Sequence, residues 1–389
     1  MYLALKRCPL LTVIVCLAGN VFGQAIPPVP STAFTLDLRS YGWEAPEGRQ
    51  HELNAPSIAV DHGGRIVLGF TVQARSGVVT RNQPSLDFRI MRFSPDGKVD
   101  LSLSLPTHVR GTNAIYLSDT DQIIARANDR LQFLQSDDGN LQKGEWKTLC
   151  PQSCRVLQSP TRRTLVLYAR NSNTPLTIVR FSPELALRRC DEAHRLIGSN
   201  DEAIQNDAQY ITDEFAYFHN WEPESGYFTY RWPLCDYEHR VKIPLRARGR
   251  WAVLNDDTFV VYPYSNRKKD EEPDVISSDS HVKFHPTMQE HESAGTIWTP
   301  IKSSERGNLV AVDLLTIRGR NRTLDLSGHV TARRIAVYDI ETGKQLASIP
   351  VNPRPRNFEF DLSPDGHRLA ILEDDKVRVV DIEGTEKAN

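Results

Sequence analysis

Long hydrophobic runs are scarce in this sequence of 389 residues. The apolar run Leu10–Ala18 is shorter than the roughly 20 residues that cross a bilayer, and no later run is long enough to do so. The basic residues Lys6 and Arg7 precede this run, and the small-residue segment Val21–Gly23 follows it. This order is typical of a secretory signal peptide. It predicts a signal peptide over residues 1–23 and a secreted or periplasmic protein without stable membrane insertion.

The sequence also lacks an excess of charge of either sign, with 47 Lys and Arg against 49 Asp and Glu. Such a balance provides no long-range attraction to nucleic acid or to an anionic membrane, and it argues against nucleic acid as a partner. The chain beyond the signal peptide is longer than most domains, but closed β-rich folds of this length form single domains. We expect residues 24–389 to form one domain and the protein to be a monomer.

Motifs of the common enzyme classes are absent from the sequence. It contains no Gly-x-Ser-x-Gly nucleophile elbow, no phosphate-binding loop and no dinucleotide-binding fingerprint. The densest group of possible metal ligands comprises Asp279, His281, His285, Glu290, His291 and Glu292. They lie in a long polar stretch, residues 267–293, which opens with a run of charges, and such stretches seldom pack. We therefore expect a solvated loop there and predict no catalytic residue, no metal and no cofactor.

Helix-forming patterns are equally scarce, and short apolar runs rich in Val, Ile and aromatic residues dominate the sequence. One unit recurs, in which two such runs flank a tight polar turn. Its seven copies are Ile58–Leu68, Ala114–Ile124, Arg155–Leu167, Gln209–Tyr217, Trp251–Val261, Thr296–Val312 (with its first run at Thr296–Trp298) and the copy around Ser363–Gly366. Repetition at about 40 residues is typical of propellers.

A second tight turn follows most copies of this unit. These turns are Ser94–Gly97, Ser136–Gly139, Ser182–Glu184, Glu341–Gly343 and Ile382–Gly384. Gly and Asp recur in them because tight hairpins need positive φ. Two hairpins per copy give the four strands of a propeller blade, and radial repetition explains seven copies better than a β-sandwich does. The sequence therefore predicts an all-β fold, a seven-bladed β-propeller.

The end of the chain contains only three strands of its blade, within Phe358–Ile382. The fourth must come from elsewhere, and the unassigned candidate is Ala33–Leu38. We therefore expect strands from both termini to close the ring, with Ala33–Leu38 as the outermost strand of the last blade. In these blade turns the chain resembles the broad superfamily of WD-repeat-like and related bacterial β-propellers. The resemblance implies a propeller fold, which hosts binding and catalysis alike.

Four of the six cysteines lie beyond the signal peptide, namely Cys150, Cys154, Cys190 and Cys235. An even number in an exported chain favours disulfides. Cys190 and Cys235 each begin a Cys-Asp-x-x-His-Arg motif, at a separation of 45 residues. Two Cys and two His suit zinc, but Cys and His four residues apart in a strand are separated by about 13 Å. We prefer Cys190–Cys235 between neighbouring blades and Cys150–Cys154, while zinc and the crossed pairs Cys150–Cys190 and Cys154–Cys235 stay open.

Several predicted second strands of blades end in arginine, at Arg75, Arg126, Arg170 and Arg318. These strand ends belong to one face of the ring, and a ring of guanidinium groups suits carboxylate, sulfate or phosphate groups. The alternative is that each arginine pairs with a nearby carboxylate on the surface. The sequence thus predicts a binding scaffold for a protein or an anionic ligand, with these four arginines as the candidate site. A propeller enzyme of the lactonase, lyase or dehydrogenase kind, with its active site at the channel mouth, is the alternative.

Overall fold

The protein, analysed as a computed structural model, contains seven antiparallel sheets that form the blades of a β-propeller. The prediction of a seven-bladed propeller is confirmed. The structure describes residues 29–43, 56–73, 86–107, 113–127, 130–137, 140–143, 154–169, 176–181, 186–190, 210–222, 226–236, 239, 241–243, 249–255, 257–263, 274–287, 292–294, 301–306, 308–317 and 330–383. Within these ranges, no helix has the length and apolar character needed to cross a membrane.

The strands follow one another through the blades in chain order. Strand β1 (Thr32–Asp37) comes first, and a 3-10 helix, Leu38–Tyr41, follows it. From the channel outward, blade 1 contains β2 (Ser57–Val60), β3 (Ile66–Gln73), β4 (Leu86–Phe93) and β5 (Val99–Thr107). Blade 2 contains β6 (Ala114–Leu117), β7 (Ile123–Ala127), β8 (Arg130–Asp137) and β9 (Asn140–Lys143). Blade 3 contains β10 (Cys154–Gln158), β11 (Thr164–Ala169), β12 (Leu176–Arg180) and β13 (Ala186–Cys190).

The second half of the ring repeats this arrangement. Blade 4 contains β14 (Tyr210–Ile211), β15 (Phe215–Glu222), β16 (Gly226–Pro233) and β17 (Val241–Ile243). Blade 5 contains β18 (Gly249–Asn255), β19 (Thr258–Pro263), β20 (Asp274–Ser277) and β21 (Val282–Phe284). Blade 6 contains β22 (Glu292–Ala294), β23 (Lys302–Ser303), β24 (Leu309–Ile317), β25 (Val330–Asp339) and β26 (Gln345–Val351). Blade 7 contains β27 (Phe358–Leu362), β28 (Arg368–Glu373) and β29 (Lys376–Asp381).

Strand β1 completes blade 7, in the order β27-β28-β29-β1. It pairs antiparallel with β29, with Leu36 opposite Val377. The expected closure by both termini is therefore confirmed, although the strand begins and ends one residue earlier than Ala33–Leu38. The reason is that the side chain of Asp37 accepts a hydrogen bond from the backbone of Arg39, which starts the 3-10 helix at Leu38.

The hydrophobic core is divided into seven clusters, one at each interface between adjacent blades. Alternation along each strand produces this division, since successive side chains point to opposite faces of a sheet. In β3, for example, Ile66, Leu68 and Phe70 pack toward blade 7, whereas Val67 packs toward blade 2. Each blade is therefore stabilised by both of its neighbours.

Two sequence expectations about individual segments were wrong. The second turn of blade 7 lies at Asp374, whose φ is 55°, between β28 and β29, and not at Ile382, which follows β29. Within residues 267–293, the described part is not a solvated loop, because it contains the two outer strands of blade 5 and buries Val275 and Ile276. The inner position of blade 6 is filled by β22 and β23, which both pair with β24. Residues 296–298, expected there, lie outside the described residues.

The inner strands all run in the same direction, because each begins after a connection from the preceding blade. We call the end of the ring where the inner strands begin the crossover face. The opposite end, where tight turns join inner and second strands, is the turn face. The second strands run back and therefore end at the crossover face.

Removing β1 should open the ring and destabilise it. Deletion of residues 24–40 removes Leu36 and Leu38 from the core between blades 7 and 1 and leaves the edge of β29 unpaired. Each buried leucine contributes about 1.5–3 kcal/mol, so we expect the free energy of unfolding to fall by at least about 3 kcal/mol. Urea denaturation followed by circular dichroism measures this loss. A deletion of residues 24–31, which retains β1, is the control, and equal midpoints for both deletions would contradict closure by β1.

Candidate functional site

A cavity of about 380 Å³ lies between the inner strands of blades 1, 2, 3, 6 and 7, on the axis of the ring. Its lining extends from Pro56 and Asn113, which precede inner strands at the crossover face, to a group of charged side chains. We call this group the axial cluster, and its members are Arg162, Lys302, Glu359 and Asp361.

The alternation of β27 places two carboxylates in the channel. Phe360 and Leu362 are buried in the core between blades 6 and 7. Glu359 and Asp361 occupy the intervening positions, so they share the other face of the strand and line the cavity. The alternating apolar and acidic residues of β27 thus contribute to the core on one face and to the lining of the channel on the other.

Arg162 crosses the channel from blade 3. It lies in the turn after β10 with a φ of 62°, which projects its guanidinium toward blades 7 and 1. It donates to the carbonyl of Val60 at 2.6 Å and to Oδ2 of Asp361 at 2.9 Å. The backbone N–H of Val60 donates to the same carboxylate at 2.9 Å. Both charged side chains are buried, so Arg162 and Asp361 form a desolvated ion pair with several hydrogen bonds.

Lys302 and Glu359 are held less tightly. The ammonium of Lys302 is 3.5 Å from Asp361 and 3.9 Å from Glu359. Burial lowers the pKa of Lys302, but the charges of Asp361 and Glu359 outweigh it and the net shift is upward. Burial raises the pKa of Glu359, Lys302 opposes this, and Asp361 adds to it, so that the net shift is also upward.

Arg126 is the one predicted site arginine that the described residues include. It lies in β7 opposite Ala114, is half-buried, and forms a hydrogen bond with Tyr116, whose pKa is raised by burial and lowered by Arg126. Tyr116 lines the cavity, so Arg126 stands beside the cavity and not on the outer rim. Arg75, Arg170 and Arg318 lie outside the described residues. The strands that precede them, β3, β11 and β24, end at the crossover face, and the arginine ring stays a prediction.

Cys190 and Cys235 form a disulfide between blades 3 and 4, with Cα atoms 5.2 Å apart. This preferred pairing is confirmed. The two positions are not equivalent, since Cys190 ends the outer strand β13 and Cys235 follows β16 in a turn. His239 of the second motif lies 2.7 Å from Asp236. Cys150 and the side chain of Cys154 lie outside the described part of the chain, as does His194.

The sequence interpretation missed a charged network at the turn face. We call it the turn-face network, and it consists of His62, Asp121, Arg163 and Glu305. The ring nitrogens of His62 each lie 2.8 Å from a carboxylate, Nδ1 from Asp121 and Nε2 from Glu305. Arg163 lies 4.0 Å from Glu305. These residues come from blades 1, 2, 3 and 6, so their contacts cross the axis. Each of the four lies in the turn that joins the inner and second strands of its blade, and this position is the one sequence signal that they share.

The axial cluster and the turn-face network make the two ends of the channel different. Arg162 and the turn-face network occupy the axis on the side of the turn face, whereas the cavity extends toward the crossover face. Partial burial lowers the pKa of His62, but the hydrogen bonds to Asp121 and Glu305 outweigh it, and the net shift is upward. Protonated His62 therefore helps to hold the turn-face side together.

No protein-family model and no curated protein matches the sequence. Among solved structures, the chain is similar to the WD40 domain of Pan2 from Neurospora crassa, with 10% identity, 91% of this chain and 95% of that chain covered, and a TM-score of 0.49. It is also similar to a chain in the crystal structure of the mitotic checkpoint complex, with 10% identity, coverage of 93% and 98%, and a TM-score of 0.48. These similarities say nothing about function. The propeller architecture, and with it the expected resemblance to WD-repeat-like propellers, rests on the strand pairing within this chain.

His281 and His285 of the polar stretch lie beside the outer strand β21 of blade 5, away from the channel. His285 is 2.7 Å from Asp274, and the backbone of His281 donates to Asp279 at 3.2 Å. Among the residues with described positions, no group of three or more His, Cys, Asp or Glu is arranged to hold a metal ion. Glu290 and His291 lie outside that set.

Replacing Arg162 with Met should destabilise the fold strongly. The change leaves the buried Asp361 without its cross-channel partner, and breaking a buried ion pair costs about 3–5 kcal/mol. Arg163→Met is the matched control, because Arg163 is 59% exposed and its loss should cost less than about 1 kcal/mol. Urea denaturation of both variants measures the difference. Similar losses of unfolding free energy in the two variants would show that Arg162 does not stabilise the channel.

Replacing His62 with Gln should remove a pH-dependent part of the stability. Since the net pKa shift of His62 is upward, its contribution is complete below about pH 6.5 and is lost as pH rises through the pKa of the folded state. The melting temperature of the wild type should therefore fall relative to that of the variant as pH rises through this window. Glu305→Gln removes one of the two carboxylates and should move the transition to lower pH. A difference between wild type and His62→Gln that stays constant with pH contradicts the assignment.

Proposed function

We propose that this protein is an exported propeller whose crossover face binds an anionic ligand, either a free molecule or an anionic group on a partner protein. Export is supported by the signal-peptide pattern of residues 1–23. Binding is supported by the cavity, which reaches the crossover face and contains cationic groups near its walls. The proposal depends mainly on the difference between the two ends of the channel. Ion pairs bound the cavity on the side of the turn face, so a ligand approaches it from the crossover face.

The charges around the cavity favour an anion. Arg162 and Asp361 neutralise each other through direct hydrogen bonds, and Lys302 faces Glu359. Arg126 adds a further positive charge beside Tyr116 at the cavity wall. Three of these five charged side chains are cationic, and they stand in a partly desolvated site, where charges act more strongly than in bulk water.

The rigidity of the ring also suits binding. Arg162 joins blade 3 to blades 7 and 1, and the disulfide joins blades 3 and 4. Asp361 accepts hydrogen bonds from two donors, so its position is fixed and it stabilises the ring. A site that is organised before binding loses less conformational freedom when the ligand enters.

A propeller enzyme remains the second candidate, and Glu359 is the observation in its favour. A carboxyl with a raised pKa in a cavity is a typical general acid. The two candidates differ in what happens to a bound molecule. A binding protein returns it unchanged, whereas an enzyme converts it, and nuclear magnetic resonance spectra of the ligand recorded over hours separate the two.

The binding proposal is tested by titration with carboxylated and sulfated polysaccharides, using pectate and heparin. Arg126→Gln should weaken binding, and binding to the wild type should weaken as salt rises, since exposed charges are screened within about 8 Å at physiological ionic strength. Arg180→Gln is the matched control, because Arg180 is exposed and ends β12 at the turn face. No binding at low salt, or equal effects of the two substitutions, would contradict an anion-binding crossover face.

A further inference from the structure

We propose that the axial cavity binds a small hydroxylated carboxylate, the chemical class of the sugar acids, with Lys302 pairing with its carboxylate and Glu359 hydrogen-bonded to its hydroxyl groups. The inference rests on the proposed function and specifies the ligand of the cavity itself. A free sugar acid and the terminal unit of an acidic polysaccharide present this same chemistry.

The size of the cavity suits such a molecule. Its volume of about 380 Å³ falls in the range of about 300–1,000 Å³ that is usual for small-molecule sites. On the turn side, the contacts of His62 with Asp121 and Glu305 lie across the channel and disfavour an extended polymer along the axis. A single sugar unit, or the end of a chain, therefore fits better than an extended segment.

The contacts of the Lys302 ammonium with carboxylates are long. Its distances to Asp361 and Glu359, 3.5 Å and 3.9 Å, exceed the roughly 2.7–2.9 Å of direct charge-assisted hydrogen bonds. Its side chain is 33% exposed, into the cavity that it lines. A partly desolvated ammonium with distant partners gains from a carboxylate that approaches to hydrogen-bond distance.

Glu359 differs from Asp361, although both point into the same channel. Asp361 accepts direct hydrogen bonds from Val60 and Arg162, whereas the described ion pair of Glu359 is its 3.9 Å contact with Lys302. A carboxyl in this position accepts hydrogen bonds from hydroxyl groups when ionised and donates one when protonated. Glu359 therefore suits a ligand that has hydroxyl groups as well as a negative charge.

The remaining polar groups hold fixed orientations around the cavity. Gln158 donates to the carbonyl of Leu117 at 2.6 Å, and the amide nitrogen of Asn113 donates to Thr71 at 3.0 Å. Tyr116 is fixed by its hydrogen bond with Arg126. These contacts fix polar groups among the apolar side chains that also line the cavity, a mixture that suits a ligand with both hydroxyl groups and a carbon skeleton.

The test is calorimetric titration of the full mature chain with glucuronate, glucose and acetate. Glucuronate should bind most tightly, because glucose lacks the charge and acetate lacks the hydroxyl groups. Lys302→Gln should weaken glucuronate binding by about 10- to 100-fold, the range for loss of a hydrogen bond to a charged group. Lys98→Gln is the matched control on the turn face, where Lys98 is 83% exposed, and it should leave the affinity unchanged.

Glu359→Gln, unlike Lys302→Gln, should not weaken the binding of glucuronate. The charged groups that act on Glu359 are Lys302 and Asp361, and Asp361 is fixed by Arg162. Arg162 and Tyr116 also line the cavity. Protonation of Glu359 removes a negative charge beside the bound carboxylate, so wild-type affinity should rise as pH falls through the raised pKa of Glu359. The Glu359→Gln variant should lose this pH dependence.

The outcomes separate the two proposals. If Lys302→Gln does not fold by circular dichroism, Lys302→Arg, which keeps the charge, should fold and retain binding. Absence of glucuronate binding, equal binding of glucose and glucuronate, or unchanged affinity in Lys302→Gln would overturn the cavity proposal. If polysaccharide binding that depends on Arg126 persists in that case, the proposed function stands and only the cavity ligand is wrong. If both kinds of binding are absent, the proposed function is wrong as well.

Discussion

Pairing between β1 and β29 is the interaction on which the rest of the structure depends. The core of this protein is spread over seven interfaces between blades, and no blade can bury both of its faces alone. The interface between blades 7 and 1 contains Leu36 and Leu38 from the beginning of the chain together with Val377 and Val379 from its end. Closure there fixes the positions of the inner strands, and the contacts across the channel follow from it.

The channel illustrates how one strand can provide two different chemical roles. Asp361 is neutralised by Arg162 from the far side of the ring and bonded to the backbone of Val60, so it serves the architecture. Glu359 lies two residues earlier on the same face, where Lys302 approaches to 3.9 Å. The different supply of hydrogen-bond donors, and not the type of residue, distinguishes a structural carboxylate from one available to a ligand.

Sequence patterns predicted the fold well where the signal is local. Alternating apolar residues and Gly-containing turns located most hairpins, and Gly97 and Gly366 adopt the positive φ expected of them, 83° and 78°. The patterns failed where strands are short and charged, as in β20 and β21, because only Val275 and Ile276 are buried there. The pairing of Cys190 with Cys235 was predicted from a repeated motif, yet the two residues occupy different positions in their blades, so the packing of blade 3 on blade 4 is what brings them together.

The sequence by itself determined most of the strands, the number of blades and the need for a closing strand, since these follow from a two-residue alternation and from turn chemistry that act over a few neighbours. Only the tertiary structure decided which side chains meet at the axis. Arg162 and Asp361, 199 residues apart, and His62 and Glu305, 243 residues apart, are in contact because ring closure sets the distances across the channel. No local pattern encodes those distances, because they depend on the angles between all the blades at once.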